Sequence, residues 1–226
     1  MIIRKVFISG GTGYLGRSFI PELLKRGHEV RALARDGSQS KLPTGCLPIL
    51  GNALDKASFV QSIQPADTFV QLVGVSHPSP AKASQFRSVD LVSARASIAA
   101  AVEAGVKHFV YVSVAQPSPI MKDYIEVRAE AEALIRQSGL NTTILRPWYV
   151  LGPGHRWPYL LIPVYRFFEL IPAMRASVQR LGLVTLQQMV HALLESVENP
   201  CQGIRFQTVP QIRQFGGVQE SLSGGV

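Results

Sequence analysis

Ser9-Gly10-Gly11-Thr12-Gly13-Tyr14-Leu15-Gly16, led in by Val6-Phe7-Ile8, is the stretch that decides the fold. Three β-prone residues run into glycines, and Leu15, Phe19 and Leu23 then recur every four residues on one helix face. Strand, glycine turn and helix therefore follow one another within the first 25 residues. The turn satisfies Gly-x-Gly-x-x-Gly through Gly11, Gly13 and Gly16, and Gly-x-x-Gly-x-x-Gly through Gly10, Gly13 and Gly16. Glycine allows a tight turn and lets backbone approach a ligand without a Cβ. A helix that opens there aims free N–H groups and a positive dipole end at an anion. In this context the motif predicts a pyrophosphate site, with Gly16 allowing close packing of helix on strand. No Gly-Lys-Ser/Thr follows, so a nucleoside-triphosphate loop of that kind is excluded.

The same alternation continues outward. Gly27 ends the first helix, in which Pro21 predicts a bend. Val30 to Ala34, Leu47 to Leu50, Phe69 to Val75, Phe109 to Val114 and Thr142 to Leu145 read as further strands. Phe59 to Ile63, Phe86 to Ala104 and Tyr124 to Gln137 read as helices between them. Strands separated by helices require crossovers, and right-handed crossovers give an α/β doubly wound parallel sheet. The region from Leu151 to Gln211 is less regular, with a helix over Leu186 to Glu198 and a last strand near Ile204 to Val209. The expected organisation is a dinucleotide-binding core over 1–155, a small C-terminal substrate or lid extension over 156–213, and a flexible tail over 214–226.

Composition agrees with a folded, anion-binding chain. Of 226 residues, 46% are hydrophobic and 17% charged, enough to bury a large core. The 23 basic and 15 acidic side chains leave a net charge of +8, which favours anionic partners. The basic residues are scattered and no nucleic-acid reader motif is present, so nucleic acid is not the expected partner. Cys46 and Cys201 are the only cysteines and form no Cys-x-x-Cys, and no metal-ligand cluster is read. The first apolar run is short and interrupted by Arg4 and Lys5, and Trp157 to Met174 is broken by three prolines. Neither a secretory leader nor a membrane span is expected, and the location expected is cytoplasmic.

The end of the second strand selects the dinucleotide. NAD sites place a carboxylate there for the ribose hydroxyls, whereas an arginine suits a 2′-phosphate. The strand reads Val30-Arg31-Ala32-Leu33-Ala34-Arg35-Asp36. Arg35 favours NADP, and Asp36 keeps NAD open.

With these motifs the chain resembles the extended or atypical short-chain dehydrogenases/reductases. These comprise the NAD(P)-dependent epimerase/dehydratase group and relatives with an NAD(P)H-binding domain, all with a Rossmann-like fold. The resemblance covers about residues 2–155. It implies that Gly10, Gly11, Thr12, Gly13, Tyr14, Leu15 and Gly16 border the cofactor. Gly51-Asn52-Ala53-Leu54-Asp55 resembles the family's Gly-Asp-x-x-Asp loop, so Asn52, Ala53 and Leu54 are expected at the adenine. Val73, Gly74 and Val75 stand where the fourth strand approaches the ribose. Leu145-Arg146-Pro147 followed by Gly152-Pro153-Gly154 resembles the run that passes the nicotinamide, which implies a cofactor contact for Pro147.

The family's catalytic pair is Tyr-x-x-x-Lys, supported by a serine or threonine after the fifth strand. Here it reads Tyr124-Ile125-Glu126-Val127-Arg128. Residues four apart share a helix face. A tyrosine, ordinarily titrating near pH 10, needs a nearby positive charge to act near neutrality. The resemblance implies Tyr124 as acid/base, Arg128 as charge and ribose anchor, and Ser113 as supporting hydroxyl, with Ala115 where a second hydroxyl often stands. It points to an oxidoreductase or isomerase acting on a carbonyl or alcohol. The alternative is a non-catalytic NAD(P)H sensor or structural partner, which Arg128 and Ala115 favour. His77, Trp148, Tyr149 and His155-Arg156-Trp157 are further candidates for a substrate pocket. The apolar and basic stretch Tyr159 to Met174 reads first as a lid; as a second reading, residues 157–175 contact a membrane surface or a protein partner.

Overall fold

The computed structural model describes residues 2–76, 78–118, 120–153 and 181–216. Its main sheet has seven parallel strands in the order β3-β2-β1-β4-β5-β6-β9. These are β1 (Lys5–Ser9), β2 (Glu29–Ala34), β3 (Leu47–Leu50), β4 (Thr68–Gln71), β5 (His108–Val112), β6 (Thr142–Arg146) and β9 (Ile204–Thr208). Two short strands, β7 (Tyr149–Leu151) and β8 (Leu183–Thr185), pair in parallel beside it. The helices are α1 (Tyr14–Lys25), α2 (Ala83–Gln85), α3 (Val92–Glu103), α4 (Lys122–Ser138), α5 (Leu186–Glu198) and α6 (Val209–Gln214). The fold is the expected doubly wound, Rossmann-like α/β sheet, and the order of strands reverses between β1 and β4.

Strand alternation sends successive side chains to opposite faces. On one face Phe7, Phe69 and Phe109 stand in register on neighbouring strands, with ring centroids 5.1 and 5.5 Å apart. Tilted pairs at that spacing suit the ring quadrupoles. This face packs on α3 and α4. On the other face Val6, Ile8, Val30, Val70 and Val110 meet α1 and α5. Thr185 and Gln188 form a reciprocal capping box at the start of α5, and Thr208 and Gln211 do so at α6. Among the described residues no helix is long and apolar enough to cross a membrane.

Several boundaries differ from the sequence reading. β4 ends at Gln71 rather than Val75; Leu72 still donates to Ser9 of β1, but the Val75 N–H turns to the Asp90 carboxylate instead of a strand. Likewise β5 ends at Val112. The segment Phe59 to Ile63 forms short 3-10 turns instead of a helix. Phe86 to Ala104 is not one regular helix; it begins as a π-helical stretch, Phe86–Leu91, and continues as α3. As read from the sequence, Pro21 lies inside α1. The edge strand β9 brings part of the 156–213 stretch back into the main sheet. Gln214, placed in the tail, closes α6, and the carbonyl of Phe215 lies 2.9 Å from His191 Nδ1.

His108 at the head of β5 is buried, with Nε2 3.1 Å from Thr143 Oγ1. Burial, reinforced by the charges of Arg205 and Arg4, pushes its pKa down from 6.5 to about 4. Between those values an unfolded chain binds a proton that the native histidine refuses, so stability must fall as pH drops from about 6.5 to about 4. The expected loss is about 3 kcal/mol. Urea denaturation across this window should show it, and His108→Gln should flatten that part of the profile. An unchanged pH dependence in the variant would exclude His108 as its source.

Candidate active site

The glycine loop is shaped by close backbone approach. Gly10 has φ +83, and a Cβ there would lie 2.7 Å from the carbonyl carbon of Leu72 and 2.8 Å from the nitrogen of Val73. At Gly16 a Cβ would meet the Gly11 carbonyl oxygen at 2.5 Å and that of Gly10 at 2.6 Å. Neither position accepts a side chain without displacing backbone. Gly13 is different. It is exposed, caps α1 without a side-chain bond, and leaves the first-turn N–H groups open to an anion.

A cleft of about 320 Å3 opens at this point, beyond the carboxyl ends of β1 and β4. Gly10, Thr12 and Gly13 form one wall, and Arg35 stands at the end of β2. Asn52, Ala53 and Leu54 follow β3, and Val73 and Gly74 follow β4. Leu33, Gly51, Leu72 and Val89 complete the lining. Four separate loops thus converge where the strand order reverses, the place at which open α/β sheets bind ligands. Asn52 Oδ1 accepts from the Leu54 N–H at 3.1 Å, which fixes the turn after β3. Arg35 is exposed. Asp36 instead turns to its own loop, accepting from the Gly37 N–H at 3.0 Å.

Other sequence candidates lie behind or beside the cleft. Gly11 is buried against Ala32 and Ile20. The Tyr14 hydroxyl packs against Gly152, where a Cβ has no room, and Leu15 and Trp148 pack onto the core beside α1. Tyr149 lies in β7. The Pro147 carbonyl accepts from the Ala115 N–H at 2.9 Å. His77, His155-Arg156-Trp157 and the 157–175 stretch lie outside the described residues.

Tyr124 lies in the first turn of α4, after Met121, which adopts a left-handed conformation with φ 57. A non-glycine residue there carries about 1–3 kcal/mol of strain, a feature that clusters at functional sites. The Tyr124 ring is half-buried against Phe86, with centroids 4.9 Å apart, and the Arg128 guanidinium lies 5.1 Å from its centre. Tyr124 and Arg128 are thus brought together.

Arg128, however, does not line the cleft. It is buried, and its Nη2 forms an ion pair of 2.5 Å with Asp90 Oδ1. Its Nη1 donates to the Val112 carbonyl at 2.9 Å and to the Tyr111 hydroxyl at 3.1 Å. Burial opposes the charge on Arg128, but Tyr111, Tyr124 and Asp90 outweigh it and raise the pKa, so the guanidinium stays charged. The same burial raises the pKa of Asp90 above the usual carboxylate value, against the opposing pull of Arg128 and the Val75 N–H. In this arrangement the guanidinium is engaged inside the protein, with Asp90, Val112 and Tyr111.

Ser113 is also engaged. Its hydroxyl donates to Glu132 Oε1 at 2.6 Å, and Gln116 and Arg146 bind the same carboxylate. Sequence reading passed over Asp90 and Glu132. The available signal was an acid amid apolar and alanine neighbours on a segment expected to pack against the sheet.

The fold and cleft define a dinucleotide-binding α/β protein. A family model described as NAD(P)H-binding matches residues 10–157. The chain belongs to that NAD(P)H-binding family, and its cofactor is a nicotinamide dinucleotide. A 4-hydroxy-2-methyl-3-oxo-4-farnesyl-3,4-dihydroquinoline-1-oxide ketoreductase of Stigmatella aurantiaca is 27% identical over 170 residues, 66% of this chain and 51% of that protein. A ceramide reductase of Caulobacter vibrioides is 24% identical over 207 residues, 88% of this chain and 62% of that protein. The chain therefore spans little more than half the length of these curated relatives. In fold it is similar to the Bordetella bronchiseptica enzyme WbmH, solved with NAD+, at TM-score 0.68 and 20% identity over 92% of this chain and 76% of that one.

Gly13→Val tests the cleft directly. A Cβ at Gly13 meets only the Gly10 carbonyl oxygen, at 3.1 Å, so the loop should keep its fold while a branched side chain occupies the pyrophosphate position. Calorimetry should detect no dinucleotide binding by the variant. Unchanged affinity would place the dinucleotide elsewhere.

Proposed function

We propose that the protein is an NADP(H)-dependent oxidoreductase that interconverts a carbonyl and an alcohol. The observation that carries this reading is the switch-point cleft with an exposed arginine at its rim; the tyrosine at the start of α4 is related to it through Arg128, which lies against both the Tyr124 ring and the cleft residue Gly74. The names of the two relatives, a ketoreductase and a ceramide reductase, support a reductive reaction, and the first of them one on a ketone.

The bound dinucleotide supplies the hydride; the chain supplies binding, orientation and the proton. Thr12, Gly13 and the first turn of α1 hold the pyrophosphate through backbone N–H groups and the helix dipole. The Arg35 fork takes the 2′-phosphate, a role for which its planar, bidentate geometry suits it. Asn52 to Leu54 border the adenine, and Val73 and Gly74 the ribose. The Tyr124 hydroxyl gives the proton to the substrate oxygen in reduction and takes it back in oxidation. Arg128 keeps a permanent positive charge next to that ring.

Two measurements test the reading. NADPH should bind more tightly than NADH in calorimetric titrations, and Arg35→Ala should remove about 1.5–3 kcal/mol of that preference, the worth of a charge-assisted bond. Equal affinities in the unmodified protein would refute the NADP assignment. In NADPH oxidation with a panel of aldehydes, ketones and quinones, Tyr124→Phe should reduce turnover by about 10²- to 10⁴-fold with NADPH affinity nearly unchanged. Equal turnover would remove Tyr124 from the chemistry.

A further inference from the structure

We propose that Asp90 and Arg128 form a buried clamp that holds the backbone of residues 73–75 in the shape that receives the dinucleotide, which makes Asp90 a positioning residue of the cofactor site. This rests on the reading of the cleft given above. The clamp ties together four parts of the chain. Asp90 is fully buried at the end of the π-helical stretch. Its Oδ2 accepts the Val75 N–H at 3.0 Å, beyond the end of β4. Its Oδ1 meets Arg128 of α4, which in turn donates to the carbonyl of Val112, the last residue of β5.

The guanidinium lies directly behind the cleft wall. Gly74 lines the cleft on one side, and on the other a Cβ would lie 2.6 Å from Arg128 Nη2 and 3.1 Å from Asp90 Oδ1. The loop after β4 has left the sheet, so the Val75 N–H finds its acceptor in the Asp90 carboxylate instead of a strand partner. Remove that carboxylate and the wall loses its anchor together with the neutralising charge for Arg128.

The π-helical stretch explains how Asp90 gets there. Phe86, Asp90 and Leu91 are all buried on its inner face, and the wider turn carries Asp90 inward with the two apolar anchors. Such turns recur at functional sites. The arginine at position 128 is then not a weakened lysine. It is a planar fork that serves a carboxylate, a carbonyl and a hydroxyl at once, which a single ammonium does not reproduce. Arg128→Lys would restore the family's Tyr-x-x-x-Lys spacing and yet loosen the cofactor site.

A double variant separates positioning from mere stability. Replacing both members of a buried ion pair with apolar groups is commonly neutral or stabilising, because no charge is left unpaired. In Asp90→Leu/Arg128→Met the Val75 N–H, the Val112 carbonyl and the Tyr111 hydroxyl lose a partner but no charge does, so the variant should still fold and melt in one cooperative transition. Its NADPH dissociation constant, measured by calorimetry on the full chain, should nevertheless be weaker by at least about tenfold. Unchanged affinity in the double variant overturns the clamp while leaving the dinucleotide reading intact. Should the double variant not fold, Arg128→Lys decides. NADPH binding weaker by at least about fivefold supports the clamp, and unmodified affinity refutes it. If the unmodified protein binds neither NADPH nor NADH, the dinucleotide reading falls and the clamp with it.

Discussion

The structure depends on how closely bare backbone can approach bare backbone at the head of α1. Gly10 touches the chain leaving β4, and Gly16 touches the carbonyls of Gly10 and Gly11. A methyl group at either place would push the helix from the strand or the loop from the sheet. With both contacts made, α1 begins at the end of β1 and its first turn faces the gap where strand order reverses. The cleft follows from that placement, because the loops after β2, β3 and β4 are carried to the same edge by the parallel sheet.

Behind the cleft, ordering passes from backbone contacts to buried charge. Two carboxylates, Asp90 and Glu132, are each almost wholly buried, and each is met by an arginine and a hydroxyl or backbone donor. A buried charge is tolerated only when paired and hydrogen-bonded. Both pairs converge on α4: Asp90 through Arg128, and Glu132, itself on that helix, through Arg146. Arg146 also lies over the Phe206 ring at 4.2 Å, tying α4 to the edge strand β9. The helix that presents Tyr124 is thus fixed along its length, with Arg128 beside the tyrosine and Glu132 one turn further on.

Much of this was legible in the sequence. The glycine spacing, the four-residue recurrence of Leu15, Phe19 and Leu23, and the short β-rich runs specify strand, turn and helix by local periodicity alone. They sufficed for the doubly wound sheet, whose parallel topology sends every strand end to one edge; which loops border the cofactor came from the family resemblance. Arg35 and Asp36 were both visible as candidates for the second strand end. The sequence did not say that Asp36 folds back on Gly37.

What only tertiary structure decided are the partners of Arg128 and Ser113. Their positions relative to Tyr124 and the fifth strand are set by local spacing, so the motif could be recognised. Their hydrogen-bond partners are not local. Asp90 lies 38 residues before Arg128, and Glu132 lies 19 after Ser113. A π-helical turn, the early end of β4 and the packing of α4 bring those groups within reach. Sequence by itself determined the Rossmann-like fold and a dinucleotide cleft; packing decided that Arg128 points inward, because a carboxylate as buried as Asp90 must be paired with a charged donor.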